Sequence, residues 1–210
     1  MICTCKKIAF NDFKNLSYWE NKNITTDEDI IVKYLCKKIL SNKKIFHVGV
    51  GNSSLASKLS KKKFKFIYGI TIADSEINFA NTLNIQNYKV KLLDKHNSNL
   101  RKEIKKKFNI IVDNNLKSYS CCQKNFNNYF KSLTSLLEND GIILTTKKGM
   151  KWYKKLNIKK TFSLKRLFYN KVKETKGLSR NILSLDEIKC LSAIHSLKII
   201  ISKDLIILKK

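Results

Sequence analysis

The chain has 210 residues, enough for one domain with a buried core and too few to expect two. Its 43 basic residues against 16 acidic ones give a formal charge of +27, but only Arg101, Arg166 and Arg180 are arginine, Lys, Asn and Ile abound and Pro is absent. An AT-rich genome produces that composition through its codons alone, and a near lack of arginine forks weakens a phosphate-binding reading, while the missing apolar span and missing secretory signal lead us to expect a cytoplasmic protein with no membrane span.

The segment 1–29 is aromatic and polar from Phe10 to Trp19, with Tyr18 and Trp19 as candidates for a lid. A helix signal follows: Thr25 or Thr26 as cap, Asp27, Glu28 and Asp29 at the positive helix end, then Ile30, Ile31, Tyr34, Leu35 and Ile39 at helical spacing to about Leu40. Ile45, Phe46 and Val48 read as a short buried strand. Gly49 and Gly51 make the turn leaving it, and Asn52, Ser53 and Ser54 open a helix through Leu55, Ala56 and Leu59. A strand that ends in Gly-x-Gly at a helix start brings bare backbone N–H groups close to a ligand.

The same rhythm repeats. A strand at Phe64 to Ile70 leads to a helix carrying Ile77, Ala80 and Leu83, and a strand at Tyr88 to Leu93 ends at Asp94 before a basic helix from Leu100 to Lys107. Phe108 to Val112 is a fourth strand, ending at Asp113, Asn114 and Asn115. A helix from Phe126 to Leu137, a turn at Asn139, Asp140 and Gly141, and a fifth strand from Ile142 to Thr145 complete the series. Strands alternating with helices at this spacing imply an α/β fold, a Rossmann-like parallel sheet of five strands with helices on both faces.

The end breaks the rhythm. A helix from Leu185 to Leu197 precedes two apolar runs, Ile199 to Ile201 and Leu205 to Leu208, split by Ser202, Lys203 and Asp204, which reads as a C-terminal antiparallel hairpin. Between them, 146–184 is a basic insertion with Trp152, Tyr153, Phe162, Phe168 and Tyr169 interleaved, suited either to an acidic or phosphate-bearing partner or to lysines turned outward. The six cysteines show no metal-ligand spacing, and the three histidines are scattered, so no metal site is expected.

In an open parallel sheet, ligands bind beyond the carboxyl ends of the strands where the winding reverses, so the loops after the first four strands hold the candidate site. A dinucleotide site would want a third glycine at Ser54 and an acid where Thr71 stands. The run His47-Val48-Gly49-Val50-Gly51-Asn52-Ser53-Ser54-Leu55-Ala56 resembles instead the GxGNSxLS variant of the class I S-adenosylmethionine-dependent methyltransferase turn. Gly69-Ile70-Thr71-Ile72-Ala73, with Glu76 and Phe79-Ala80, is similar to the GITLSxxQxxYA pattern of the cyclopropane fatty acid synthase branch, in which a threonine replaces the ribose-binding acid.

This resemblance spans roughly residues 30–208. It implies S-adenosylmethionine as cofactor, with His47, Gly49, Gly51, Asn52, Ser53, Thr71, Ile72, Glu76, Asp94 and Asn114 as cofactor-binding residues, and Asp113 and His96 as catalytic residues that remove a proton from the acceptor or orient it. Two departures stand out. His47 occupies the place of an acid that helps hold the cofactor's cationic end, and Asp113-Asn114-Asn115-Leu116 is not the Asn-Pro-Pro-Tyr of amino-directed DNA methyltransferases. With no recognition domain for a macromolecule evident, a small-molecule methyl acceptor is the expected partner. The alternatives are a nucleic-acid-binding protein or RNA methyltransferase using the lysines, and an inactive scaffold with the methyltransferase fold.

Overall fold

The computed structural model describes residues 24–38, 41–96, 100–150 and 183–210. The candidate lid and nearly all of the basic insertion lie outside these residues. In chain order the elements are α1 (Thr26–Cys36), β1 (Lys44–Val48), α2 (Ser54–Leu59), β2 (Phe66–Thr71), α3 (Asp74–Thr82), β3 (Tyr88–Leu92), α4 (Leu100–Glu103) and β4 (Phe108–Val112). There follow α5 (Gln123–Ser135), β5 (Leu137–Thr146), α6 (Lys147–Met150), α7 (Leu185–Ile194), β6 (Lys198–Ser202) and β7 (Leu205–Lys209).

One sheet runs in the order β3-β2-β1-β4-β5-β7-β6. β1 through β5 are mutually parallel, as the alternating pattern predicts. The expected sheet of five strands is a sheet of seven. β7 pairs antiparallel with β5 and β6 with β7, because Ile206 and Leu208 on one face and Leu205 and Ile207 on the other need cover on both sides and find it within the sheet.

Side chains alternate across this sheet, and the two faces build two cores. Phe46, Phe108, Ile111 and Ile143 point to the face covered by Leu100 of α4, Phe126, Phe130 and Leu133 of α5, and Ile188 of α7. Ile45, Ile67, Ile110 and Leu144 point to the other, against Ile31 and Leu35 of α1 and Leu55 and Leu59 of α2. Successive residues thus serve opposite cores, the period-two pattern of a strand buried on both faces, broken in β4 only between Phe108 and Ile110, where the ladder is irregular.

The element ends differ from the sequence pattern where local caps decide them. α1 stops at Cys36 rather than near Leu40, α4 is a single turn instead of reaching Lys107, and α7 ends at Ile194 before Leu197. The largest difference is at β5. The helix expected to reach Leu137 ends at Ser135, and the strand begins at Leu137, running through the residues expected to turn. Phe108 pairs with Leu137 but Ile110 pairs with Ile142, so the four residues Glu138 to Gly141 stand opposite Asn109 alone and bulge out of the ladder. Lys44 Nζ holds Glu138 there, and a Cβ on Gly141 would stand 2.9 Å from Leu137 Cδ2 and 3.0 Å from the Glu138 carbonyl, so only glycine closes the bulge without a shift.

Phe108 anchors the deeper core: its ring stacks on Phe46 at 5.0 Å between centroids and meets Phe66 edge-on at 5.9 Å. Phe108→Ala is expected to lower unfolding stability by about 3–5 kcal/mol, through lost burial and the cavity left behind. Urea denaturation monitored by circular dichroism measures this, and a loss below about 1 kcal/mol would mean that the cluster does not hold the sheet.

Candidate functional site

The strand order reverses between β1 and β4, which places a crevice at their carboxyl ends. Four loops meet it. The first leaves β1 at Gly49, whose N–H donates to the Ile70 carbonyl at 2.9 Å, and closes through Ser53 N–H to the Val50 carbonyl. Gly49 and Gly51 both have positive φ, +74° and +52°, and a Cβ on Gly49 would meet nothing within 4 Å. The turn therefore combines a backbone shape that favours glycine with an open approach. Asn52 Oδ1 accepts from the Ser54 N–H and hydroxyl, and buried Ser53 shares a 2.8 Å hydrogen bond with the Tyr88 hydroxyl on β3. Ser53 itself is left-handed, with φ 57°, and its hydroxyl makes no cap bond to the helix.

The second loop brings together the two residues the sequence pairs. Thr71 ends β2, its hydroxyl donates to Glu76 Oε2 on α3, and its oxygen accepts from the Ala73 N–H. Thr71 and Glu76 are both buried. Ile72, half-buried, follows on the same loop. In the third loop Asp94 Oδ1 accepts the His96 N–H at 2.8 Å, an Asx turn that shapes the exit from β3.

The fourth loop contains a cluster only half visible in the sequence. Asp113 Oδ2 accepts from Lys95 Nζ at 3.2 Å and from the Tyr129 hydroxyl at 2.6 Å, while Oδ1 accepts the Asn115 N–H. Lys95 Nζ also donates to the carbonyls of Asn115 and Leu116 and to the Ser118 hydroxyl. Burial lowers the Lys95 pKa against the pull of Asp113, and it raises that of Tyr129 well above the usual phenol value, with Asp113 adding to the rise. Lys95 thus ties the third loop to the fourth. Asn114 turns the other way, its Oδ1 accepting from Thr146 and its carbonyl from Thr145, which fastens the β4 exit to the end of β5.

His96 lies against this cluster, its ring edge-on to Tyr129 at 5.1 Å. Its Nε2 is 2.9 Å from the Ser118 carbonyl, so that nitrogen carries the hydrogen. Nδ1 is then a lone pair, buried and without a partner. Burial, with Lys95 second, lowers its pKa to about 4, so the ring is neutral at pH 7.

His47 is drawn to a different neighbour. As Ile45 and His47 share a strand face, its side chain lies under α1, where Nε2 is 3.7 Å from Glu28 Oε1. Burial lowers the His47 pKa to about 4 and raises that of Glu28 to about 7, so at neutral pH the contact holds a neutral imidazole rather than an ion pair. Its length also exceeds a hydrogen bond. Glu28, Lys95, Tyr88 and Tyr129 are the residues that sequence reasoning missed. Only Glu28 left a signal, the Thr25-x-x-Glu28 capping box; the others come from folding, which sets Tyr88 on Ser53 and Tyr129 on Asp113.

No family model and no curated protein matches the sequence. Solved structures do match the fold. Magnesium protoporphyrin IX methyltransferase from Synechocystis PCC 6803, with bound SAM, superposes at TM-score 0.61 with 11% identity over 94% of this chain and 90% of that one; its SAH-bound form gives 0.60. The chain has the class I methyltransferase fold. The plantazolicin methyltransferase BamL, in complex with SAH and a triazolic desmethylPZN analogue, gives 0.55 at 17% identity, covering 82% of this chain and 63% of that one. A ribosomal protein methylase from Lactobacillus delbrueckii subsp. bulgaricus gives 0.51 at 17% identity, covering 87% and 74%. In the described residues of this methyltransferase fold, no helix is long and apolar enough to cross a membrane.

Two outcomes test these readings. Removing Lys95 leaves Asp113 buried with one cation lost, so Lys95→Met is expected to cost about 3–5 kcal/mol in urea unfolding, and a neutral result would show that the two loops do not depend on it. Because the folded pKa of His47 lies below its unfolded value of 6.5, its contribution is present above 6.5 and is lost as pH falls toward 4. The stability difference between the wild type and His47→Gln should therefore shift against the wild type by up to about 2 kcal/mol between pH 7 and pH 5. Parallel pH profiles would contradict a buried neutral His47.

Proposed function

We propose that this chain is an S-adenosylmethionine-dependent methyltransferase acting on a small-molecule acceptor. The observation that carries the reading is the open Gly49 turn at the strand-order reversal, with the Thr71–Glu76 pair at the end of the next strand. Gly49, Gly51 and Asn52 offer backbone to the amino-acid part of the cofactor. Ser53 contributes through its main chain, since its hydroxyl is held by Tyr88. The Glu76 carboxylate accepts from ribose hydroxyls, positioned by Thr71, while Ile72, Asp94 and Asn114 border the base and the path to the acceptor. His47 serves this site from beneath the turn.

When bound, S-adenosylmethionine supplies an electrophilic methyl group. The protein's part is to align the acceptor atom and to take its proton where it carries one. His96 Nδ1 is a lone pair fixed in direction by the Ser118 bond at Nε2, and with its basicity lowered by burial it suits the role of orienting the acceptor group by accepting its hydrogen bond. Asp113 orients the acceptor wall through Tyr129, its carboxylate being engaged by Lys95. A porphyrin methyltransferase and a methyltransferase bound to a triazolic ligand among the neighbours are in keeping with a small-molecule acceptor, beside a ribosomal protein methylase of the same fold.

Gly51→Arg places a long side chain at a positive-φ position of the turn. The expected result is loss of S-adenosylmethionine binding in calorimetry with an unchanged circular dichroism spectrum. Unchanged affinity would remove the turn from the site. Thermal-shift titration of the wild type with S-adenosylmethionine, S-adenosylhomocysteine, NAD and a mixed RNA tests the class: stabilisation by the first two alone supports the reading, and stabilisation by RNA alone overturns it.

A further inference from the structure

Against the overall charge of +27, the carboxyl end of the sheet gathers acids: Asp27 and Glu28 at the start of α1, Glu76 on α3, Asp94 after β3 and Asp113 after β4. Codon bias does not explain that placement, and although Lys95 and Lys148 answer Asp113 and Asp27, acids gathered at one end of a positive molecule favour a cation there. Among them, Glu28 is the acid whose environment is least settled. Its carboxylate accepts from the capping Thr25, from the hydroxyl at 3.5 Å and from the backbone N–H, and its Oε1 lies 3.7 Å from His47 Nε2, beyond hydrogen-bond reach. Buried His47 in turn has an Nδ1 with no partner. A half-buried carboxylate and a buried imidazole with an orphaned nitrogen thus lie side by side at the end of β1, and the orphaned nitrogen costs free energy unless a ligand completes it.

We propose that Glu28, reaching the turn from the helix before the sheet, is the counter-charge for the ammonium group of the ligand bound at Gly49–Ser53, with His47 lining the same subsite. The inference rests on the methyltransferase reading and deepens it by naming what holds the cofactor's amino-acid end. That cofactor has two cationic centres, a sulfonium and an ammonium. A carboxylate oxygen with an open lone pair favours the ammonium, which donates N–H bonds, over the sulfonium, which has none. The groups facing Glu28 are acidic or neutral: Asp27 on its own helix, His47 from β1, Glu76 from α3 and the Tyr88 phenol from β3, with Lys148 of α6 approaching Asp27 at 3.6 Å. A ligand cation there meets carboxylates, and Lys148 is directed to Asp27.

Three ligands separate the charges: S-adenosylmethionine carries both cations, S-adenosylhomocysteine the ammonium alone, and 5′-methylthioadenosine neither. Calorimetry on the full chain is expected to give Glu28→Gln at least tenfold weaker binding of the first two and unchanged binding of the third. Thr25→Ala, which removes the cap and keeps the carboxylate, should lower thermal stability while leaving affinity within about twofold. Equal affinity of wild type and Glu28→Gln for S-adenosylmethionine overturns the proposal, and so does an equal loss for all three ligands, which would mark a purely structural residue. If the wild type binds none of the three, the methyltransferase reading falls with it; if it binds and only Glu28→Gln is silent, that reading stands alone.

Discussion

The pairing of β1 with β4 is the constraint on which the rest of the molecule depends. His47 lies opposite Val112 in that ladder, so the residues just beyond, the Gly49 turn on one side and Asp113 on the other, leave the sheet at the same level. From this pair the chain winds outward to β3 on one side and to β6 on the other. Each parallel crossover deposits a helix, and each helix leaves its polar start or a loop at the same end of the sheet. Site and core are therefore one construction: Phe46 and Phe108 fix the height of β1 against β4 from one face, Ile45 and Ile110 from the other. A slip of one residue in that register would exchange the faces of His47 and Val48 and remove the imidazole from beneath the turn.

The loops are fastened by polar side chains as well as by apolar anchors such as Val50 and Leu116, for a physical reason. A loop that borders a ligand has to keep backbone groups accessible and cannot hide them in a core. Lys95 solves this for the third and fourth loops by satisfying two carbonyls, a hydroxyl and a carboxylate with one ammonium. Asn114 does so for the fourth loop and β5, and Tyr88 for the first loop and β3. Such buried networks are worth little net energy but are costly to break, so they set geometry more than stability.

Five parallel strands, their order along the chain and the terminal hairpin were legible because β1, β2, β4, β5 and β7 carry apolar residues on both faces and most turns carry Gly, Asn or Asp. The geometry of the candidate site was legible where it is built from local sequence, at Gly49, Gly51 and the Thr71–Glu76 pair five residues apart. What eluded it has two causes. The bulge at Glu138 to Gly141 depends on a lysine from β1 and on the register with β4, both distant in sequence. Lys95, one of 43 basic residues, has nothing in its neighbourhood that separates it from solvated lysines; only its burial beside Asp113 does. The hairpin, read as an addition to five strands, is a continuation of the same sheet because antiparallel pairing to β5 needs no crossover.

The charge of the molecule then takes on a different meaning at the site than at the surface. Lysines accumulate freely where water solvates them, at small cost whatever their origin, so their number carries little functional information. Buried acids do not accumulate freely, because each desolvated carboxylate has to be compensated by a hydrogen bond, a proton or a cation. Asp113 is compensated by Lys95 and Tyr129, and Glu76 by Thr71. Glu28 has only the cap, from the Thr25 hydroxyl and backbone N–H, and an imidazole too far to bond, and burial raises its pKa to about 7. A group poised in this way changes its ionisation for whichever partner arrives, and the open side of the Gly49 turn is where a partner can arrive. In a chain of strongly positive charge, the informative charges are the few negative ones, and among them the one whose compensation is incomplete.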